Sequence, residues 1–115
     1  MSAQNPILRS VLTGKQRRHL RALAHHIDPV VQIGKGGMTD ALTGAVDRAL
    51  TDHELVKVRV LEGAPADRHE LAQPLADALD AQVVGTVGRI VILYRMREKN
   101  PVIMLPARSP LHASE

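Results

Sequence analysis

Segments with helical periodicity alternate with segments of strand periodicity along this 115-residue chain, and no other feature constrains its fold as strongly. Between Glu54 and Leu61 valines recur at every second position, which predicts a strand with one apolar face. Stripes of apolar residues at i, i+3, i+4 and i+7 on either side of that strand predict helices. The predicted order is α-β-α-β-α-β-β, which indicates a two-layer α/β (α+β) sandwich with at least one parallel crossover.

Each of the three predicted helices is preceded by a side chain that can accept hydrogen bonds from the free N–H groups of the first turn. The apolar stripe of the first helix runs from Leu20 to Ile27. Pro74 lies within the third helical pattern, where it removes one hydrogen bond, and we expect it to kink the helix or to delay its start. The predicted capping residues are Thr13, Thr39 and Asp67.

The strands are predicted from short runs of β-branched and apolar residues. Gly85 interrupts the third strand, and Gly88-Arg89 is a candidate tight turn between the third and the fourth. The fourth strand is apolar on both faces, which predicts a central position in the sheet. The residues that follow it, 96–106, are expected to be irregular. The four predicted strands cover residues 30–33, 54–61, 82–87 and 90–93.

The strongest local feature is a glycine-rich loop, Gly34-Lys35-Gly36-Gly37, between a predicted strand and a predicted helix. Glycines let backbone N–H groups turn outward, the helix start adds free N–H donors and the positive end of its dipole, and Lys35 adds a charge. Together these groups suit a phosphate. The alternative is a glycine-rich turn with a solvated lysine. The longer Walker A and dinucleotide-binding patterns are absent, so we reject a nucleotide-hydrolysing site.

Basic residues are concentrated near the N-terminus. Residues 9–37 contain six lysines and arginines against a single carboxylate, Asp28, whereas the whole chain has a net charge of only +3. This distribution indicates a polyanionic partner that meets one surface, although a solvated helix face that aids solubility is the alternative. The candidate phosphate contacts are Lys15, Arg17, Arg18 and Arg21 on the first helix, joined by Lys57 and Arg59 if their face of the sheet is open.

Tyr94 is the only aromatic residue, and the chain has no cysteine, phenylalanine or tryptophan. This composition argues against proteins that stack bases on aromatic platforms, such as an RRM sheet or a typical OB-fold. The lack of cysteine excludes a disulfide scaffold, a thiolate metal site and a cysteine nucleophile. Tyr94 itself is expected to pack in the core or at its edge.

No constellation of residues marks a catalytic or metal site. The six histidines lack the H-E-x-x-H spacing, and the adjacent His25 and His26 diverge by about 100° on a helix. The serines lie in predicted tails, and the carboxylates, Glu54 among them, are expected on helix surfaces. We therefore expect neither catalytic residues nor a metal or another cofactor.

The chain contains no apolar run approaching the roughly 20 residues that span a bilayer, and its first 25 residues lack a hydrophobic signal core. We therefore expect a cytoplasmic protein without a membrane partner. The predicted organisation is a flexible N-terminal tail over residues 1–10, one domain over 11–106 and a disordered C-terminal tail over 107–115.

Residues 12–18, 28–37, 53–58 and 88–95 form four motifs in a fixed order. They resemble the CRM domain (chloroplast RNA splicing and ribosome maturation), in particular its stand-alone bacterial form, the YhbY-like RNA-binding proteins. The resemblance extends over about residues 11–106, nearly the whole predicted domain.

The resemblance implies a four-stranded mixed sheet whose last strand is antiparallel to the others, similar to the C-terminal domain of translation initiation factor three. It also implies RNA binding, since bacterial members are associated with precursors of the large ribosomal subunit and plant members with group II intron splicing. The GKGG loop matches the family's GxxG loop, which is compared with the phosphate-clamping loop of KH domains. The basic first helix matches as well.

The leading hypothesis is a non-enzymatic, monomeric RNA-binding protein whose partner is ribosomal RNA in precursor large subunits, with no cofactor and no DNA partner. Because aromatic residues are so few, we expect recognition of folded RNA shape and phosphate positions. One alternative is a protein-interaction module that docks on ribosomal proteins or assembly factors, which predicts an exposed apolar patch. The other is a small enzyme that binds a phosphorylated metabolite at the same loop.

Overall fold

The computed structural model describes residues 12–106, so the tails predicted over residues 1–10 and 107–115 lie outside the described residues. Three helices and four strands form in the predicted order, and residues 96–106 are irregular as expected. Within the described range, no helix is long and apolar enough to cross a bilayer. The elements are α1 (Gly14–Ala24), β1 (Val31–Ile33), α2 (Asp40–His53), β2 (Leu55–Val60), α3 (Arg68–Ala78), β3 (Gln82–Val87) and β4 (Ile90–Tyr94).

The four strands form one mixed sheet in the order β1-β2-β4-β3. β1 and β2 are parallel and are joined through α2, which confirms the predicted crossover. β4 is antiparallel to both of its neighbours and lies in the interior of the sheet, also as predicted. Its residues are apolar on both faces because both faces of this strand are covered.

The predicted α/β (α+β) class with a four-stranded mixed sheet is confirmed, but the arrangement is not two-layered, because helices cover both faces of the sheet. The side chains of Val56, Val58 and Val60 pack with α2 and α3 on one face. The alternate residues of β2 and β4, such as Leu55 and Ile92, pack with α1 on the other face. The central strands carry apolar side chains on both sides, and α1 removes the second set from water. The fold is therefore a three-layer arrangement of α1, the sheet, and α2 with α3.

Helix α1 is held on its face by contacts with distant parts of the chain. Leu20 and Ala24 of its predicted stripe are buried. The backbone N–H of Leu12 donates to Oε1 of Gln82 at 3.1 Å, and the side chain of Gln16 donates to the carbonyl of Pro106 at 2.9 Å. These contacts attach the start of α1 to the beginning of β3 and to the end of the irregular segment.

The helix starts follow the predicted caps. Thr13 and Asp67 each form a complete capping box with the residue three positions on, and Thr39 accepts from the N–H of Leu42. Pro74 lies inside α3, so the expected delay of the helix start is wrong. The capping box at Asp67 satisfies the N–H groups of Asp67 and Glu70 and sets the start well before the proline, whose own position is exposed.

The interruption predicted at Gly85 is a register shift between Val83 and Gly85 in the β3–β4 ladder. Gly88 and Arg89 form the two-residue turn between these strands, and Gly88 has a φ of +57°. A positive φ at this position suits glycine and matches the twist of a hairpin.

Glu54 differs from its expected surface position. It ends α2 with a φ of +66° and is 0% exposed. Its carboxylate accepts three backbone hydrogen bonds, from Arg97 at 2.8 Å, Val102 at 2.8 Å and Ile103 at 2.7 Å. The irregular segment after β4 covers Glu54 and supplies these donors, which explains how a charged group is retained in the interior.

Candidate nucleic-acid interface

The glycine-rich loop lies at the end of the sheet where the parallel strands β1 and β2 terminate. The N–H of Leu61 donates to the carbonyl of Ile33 at 2.9 Å, and the N–H of Val60 donates to the carbonyl of Arg89 at 2.7 Å. These bonds bring the ends of β1 and β2 to the β3–β4 turn. The GKGG loop, the loop over residues 61–66 and this turn therefore share one edge of the molecule.

Within the GKGG loop, position 37 requires a glycine because of its backbone conformation and because a neighbouring side chain leaves no room for a Cβ atom. Its φ is +67°, and a Cβ atom at this position would lie 2.9 Å from Cγ of Pro65. Its N–H closes a tight turn on the carbonyl of Gly34 at 3.0 Å. The N–H of Gly37 is therefore engaged inside the loop, whereas within residues 12–106 the N–H groups of Lys35 and Gly36 make no hydrogen bond. The free donors of the loop are thus at its exposed tip.

Lys35 is supported by a residue outside the motif. A Cβ atom at Gly63 would lie 3.4 Å from Cγ of Lys35, so the absence of a side chain at Gly63 leaves room for the lysine stem. Lys35 is exposed, and its ammonium group can reach a ligand at the loop tip. Gly63 and Pro65 shape the loop from the 61–66 segment, and the sequence carried no signal for either role.

The basic face predicted for α1 is present but is not uniform. Lys15, Arg18 and Arg21 are exposed, and the chain of Arg21 lies across β3, since a Cβ atom at Gly85 would be 3.5 Å from its Cδ. Arg17 instead lines a cleft with the carboxylates of Asp77 and Asp80. It therefore faces a more negative environment than the other three.

Lys57 and Arg59 lie on the face of β2 that α1 covers only in part. Lys57 lines a small cleft with Arg21, and Arg59 is exposed. Arg59 is in register with Gln32 of β1. Gln32 is also exposed and is the second residue before the GKGG loop. The strand residues thus connect the basic face of α1 with the loop. Gln32 belongs to this connection, although nothing in the sequence marked it.

The cations of this surface are available for a ligand. Within residues 12–106, the side chains of Arg18, Arg21 and Lys35 form no ion pair, and the same holds for Lys57 and Arg59. Arg95, by contrast, is a structural residue that donates to the Asp47 carboxylate at 2.8 Å and to the Leu79 carbonyl at 2.9 Å. Unpaired cations of one sign on neighbouring elements produce a positive surface potential.

No metal centre accompanies this surface among the residues described, since no group of three or more His, Asp or Glu side chains is placed to hold an ion. Tyr94 is 3% exposed and packs in the α1 layer, so it is not a stacking platform. What the surface offers chemically is a set of cations and free N–H donors for phosphate oxygens.

Comparison with known proteins identifies the family. The family model of the CRS1/YhbY (CRM) domain matches residues 12–95. The chain belongs to the CRM family. The matched range contains all ten predicted contact residues, from Lys15 on α1 to Arg59 on β2.

Other CRM-family comparisons agree. The chain is 41% identical over 96 residues to "Probable RNA-binding protein YqeI" of Bacillus subtilis, covering 84% of this chain and 100% of the relative. It is 40% identical over 103 residues to a Haemophilus influenzae protein named "RNA-binding protein", covering 86% and 99%. The solution structure of a Staphylococcus aureus hypothetical protein, described as a candidate RNA-binding protein, superposes with a TM-score of 0.71 at 44% identity, covering 84% and 100%.

Proposed function

We propose that this CRM-family protein binds RNA without catalysing a reaction, and that its RNA is ribosomal RNA in precursors of the large subunit. The observation that carries the proposal is the connected surface of unpaired cations from α1 through Lys57 and Arg59 to the GKGG loop. Its relatives from B. subtilis and H. influenzae are named as RNA-binding proteins, which supports the first part. The ribosomal target rests on the family resemblance.

In this proposal the loop and the helix hold different phosphates. The N–H groups of Lys35 and Gly36, with the Lys35 ammonium, hold one phosphate at the loop tip. Arg18 and Arg21 follow the adjoining backbone, because guanidinium groups match phosphate oxygens in two-point contacts. Lys57 and Arg59 bridge the two regions. These contacts read the positions of phosphates and hence the shape of folded RNA.

We place the protein in the cytoplasm as a monomer, with neither DNA nor a membrane as its partner. Gradient fractionation of a cell lysate tests the ribosomal target. The protein should sediment with particles just lighter than the mature large subunit and should return to the top of the gradient after nuclease treatment. A signal only at the top, at low as well as moderate salt, would contradict this target.

Salt dependence of binding to purified RNA tests the phosphate contacts themselves. About four cations on phosphates predict a slope of roughly −3 to −4 in a plot of log K against log salt concentration. A slope near zero would contradict the electrostatic mechanism, whichever RNA is used.

One observation favours the alternative of a protein-interaction module. An apolar cleft of about 580 Å³ lies beside the end of α1, and Leu23, Ile27 and Val30 contribute to its lining. Val30 is 54% exposed. Sedimentation with large particles that survives nuclease would favour docking on protein through this cleft.

A further inference from the structure

A second, smaller cleft interrupts the basic surface between α1 and the sheet. It encloses about 150 Å³, and its base is apolar, formed by Ala24, Ile90 and Ile92. Val87 forms one wall and is 55% exposed, although it is a large apolar residue. A cleft of this volume is smaller than those that hold drug-sized ligands, so it has room for one small group but not for a helix or a strand.

The rim of this cleft carries two cations and one imidazole. Arg21 and His25 stand on the α1 side and Lys57 on the sheet side, and among the described residues no carboxylate lines it. The missing side chain at Gly85 lets the Arg21 chain lie across β3 toward the opening. Because the bottom of the cleft is apolar and cations stand beside it, its occupant should have an apolar face and carry negative charge on the groups attached to it.

We propose that this cleft receives one unpaired nucleobase, such as a single-nucleotide bulge in an RNA duplex, while Arg21 and Lys57 bind the phosphates on either side of it. The proposal rests on the proposed RNA binding and specifies the class of RNA. A nucleobase has two apolar faces and a polar edge, and its flanking phosphates provide the charge. Aliphatic walls and the plane of a guanidinium can cover a base face where aromatic side chains are absent.

Three hairpin RNAs with the same loop and the same stem base pairs test the proposal by fluorescence anisotropy. One stem is fully paired, the second carries a one-nucleotide bulge, and the third carries an abasic site in place of the bulged base. The wild-type protein should bind the bulged RNA about five- to tenfold more tightly than the other two. A bulge with 2-aminopurine should change its fluorescence on binding, because its base enters the cleft.

Val87→Ser removes an exposed wall of the cleft without removing a cation. It should abolish most of the preference for the bulged RNA and leave the affinity for the paired RNA unchanged. Val102→Ser is the matched control, since Val102 is 61% exposed and lies outside the cleft. This control should keep the preference, and thermal melting of both variants verifies their folding.

The outcomes separate this proposal from the proposed function. Equal affinity of the wild type for all three RNAs, or equal affinity for the bulged and abasic RNAs, overturns base capture and leaves phosphate binding intact. Failure to bind any of them at low salt overturns RNA binding and base capture together. A preference that Val87→Ser and Val102→Ser both retain overturns the assignment of the base to this cleft.

Discussion

The buried carboxylate of Glu54 accepts a hydrogen bond from the backbone N–H of Ile103 across 2.7 Å. The same oxygen accepts from Val102, and the second oxygen accepts from Arg97. One side chain thereby attaches seven residues of irregular chain to the end of α2. Charge-assisted hydrogen bonds of this kind are stronger than neutral ones, particularly in the interior.

Glu54→Gln should lower the free energy of unfolding by about 2 kcal/mol or more, because an amide replaces an acceptor oxygen with a donor that faces another N–H. Urea unfolding measures the loss, and hydrogen exchange should show faster exchange at Arg97, Val102 or both. Glu62→Gln is the control, since the side chain of Glu62 is 90% exposed, and it should change stability by less than about 0.5 kcal/mol. Equal effects of the two substitutions would contradict a structural role for Glu54.

Tyr94 provides a prediction about pH. Burial, and to a lesser degree the negative charge of Glu54, raise the pKa of Tyr94 to about 12. A raised pKa in the folded state means that the unfolded chain ionises first. The contribution of this group to stability is therefore complete below pH 10 and is lost progressively as the pH rises from 10 toward 12.

Because Tyr94 is the only tyrosine, the absorbance of tyrosinate follows this residue alone. The titration midpoint should lie near 12 and should move downward in Glu54→Gln. Within residues 12–106 the Tyr94 hydroxyl has no hydrogen-bond partner, so Tyr94→Phe should cost little stability. The same substitution should remove the decrease in stability that ionisation of Tyr94 causes between pH 10 and 12. A midpoint close to 10 in the folded protein would contradict the burial of the hydroxyl.

Gly37→Ala should destabilise the fold by about 1–3 kcal/mol, because the residue has a positive φ and its new Cβ would lie against Pro65. Gly36→Ala is the control in the same loop, since its Cβ would meet only Thr39 at 3.4 Å and its φ is not positive. Combining Gly37→Ala with Pro65→Ala should recover the part of the loss that comes from the contact. Chemical denaturation of the wild type and the three variants measures these changes in the free energy of unfolding. A larger loss for Gly36→Ala than for Gly37→Ala would contradict this account.

Arg18→Ala combined with Arg21→Ala should weaken RNA binding by about tenfold or more and make the salt slope less steep by about 2, since each arginine accounts for about one phosphate contact. Thermal stability should change little because both side chains are exposed. Arg48→Ala combined with Lys99→Ala removes the same charge from exposed positions outside the interface and is the matched control. Equal losses from the two pairs would indicate a general charge effect and not a defined surface.

The elements of this fold were predictable because their signals are local. The Thr13–Gln16 capping box and the alternating valines of β2 depend on spacing along the chain, and both appear as expected. The position of α1 was not predictable in this way. The stripe around Leu20 shows that the helix is buried, but its partner face is created only when β3 and β4 pair.

The candidate site was predictable to the same extent. The glycine spacing marks the loop and the cation cluster marks the helix, whereas the roles of Gly63, Pro65 and Gln32 depend on contacts between separate segments. The expectation that Glu54 lies on the surface was wrong because a charged residue at the end of an amphipathic helix is ordinarily solvated. Its burial arises from a segment that has no periodicity of its own.

The attachment of α1 has a consequence for the order of synthesis. The helix that carries the arginines leaves the ribosome before the four strands, yet the Leu12–Gln82 and Gln16–Pro106 hydrogen bonds join residues 70 and 90 positions apart. During translation α1 therefore has neither its sheet face nor its anchors until the last strands have emerged, and such long-range contacts are slow to form. A nascent or truncated chain carries the basic residues but not their arrangement, so the surface proposed to bind RNA forms only with completion of the domain.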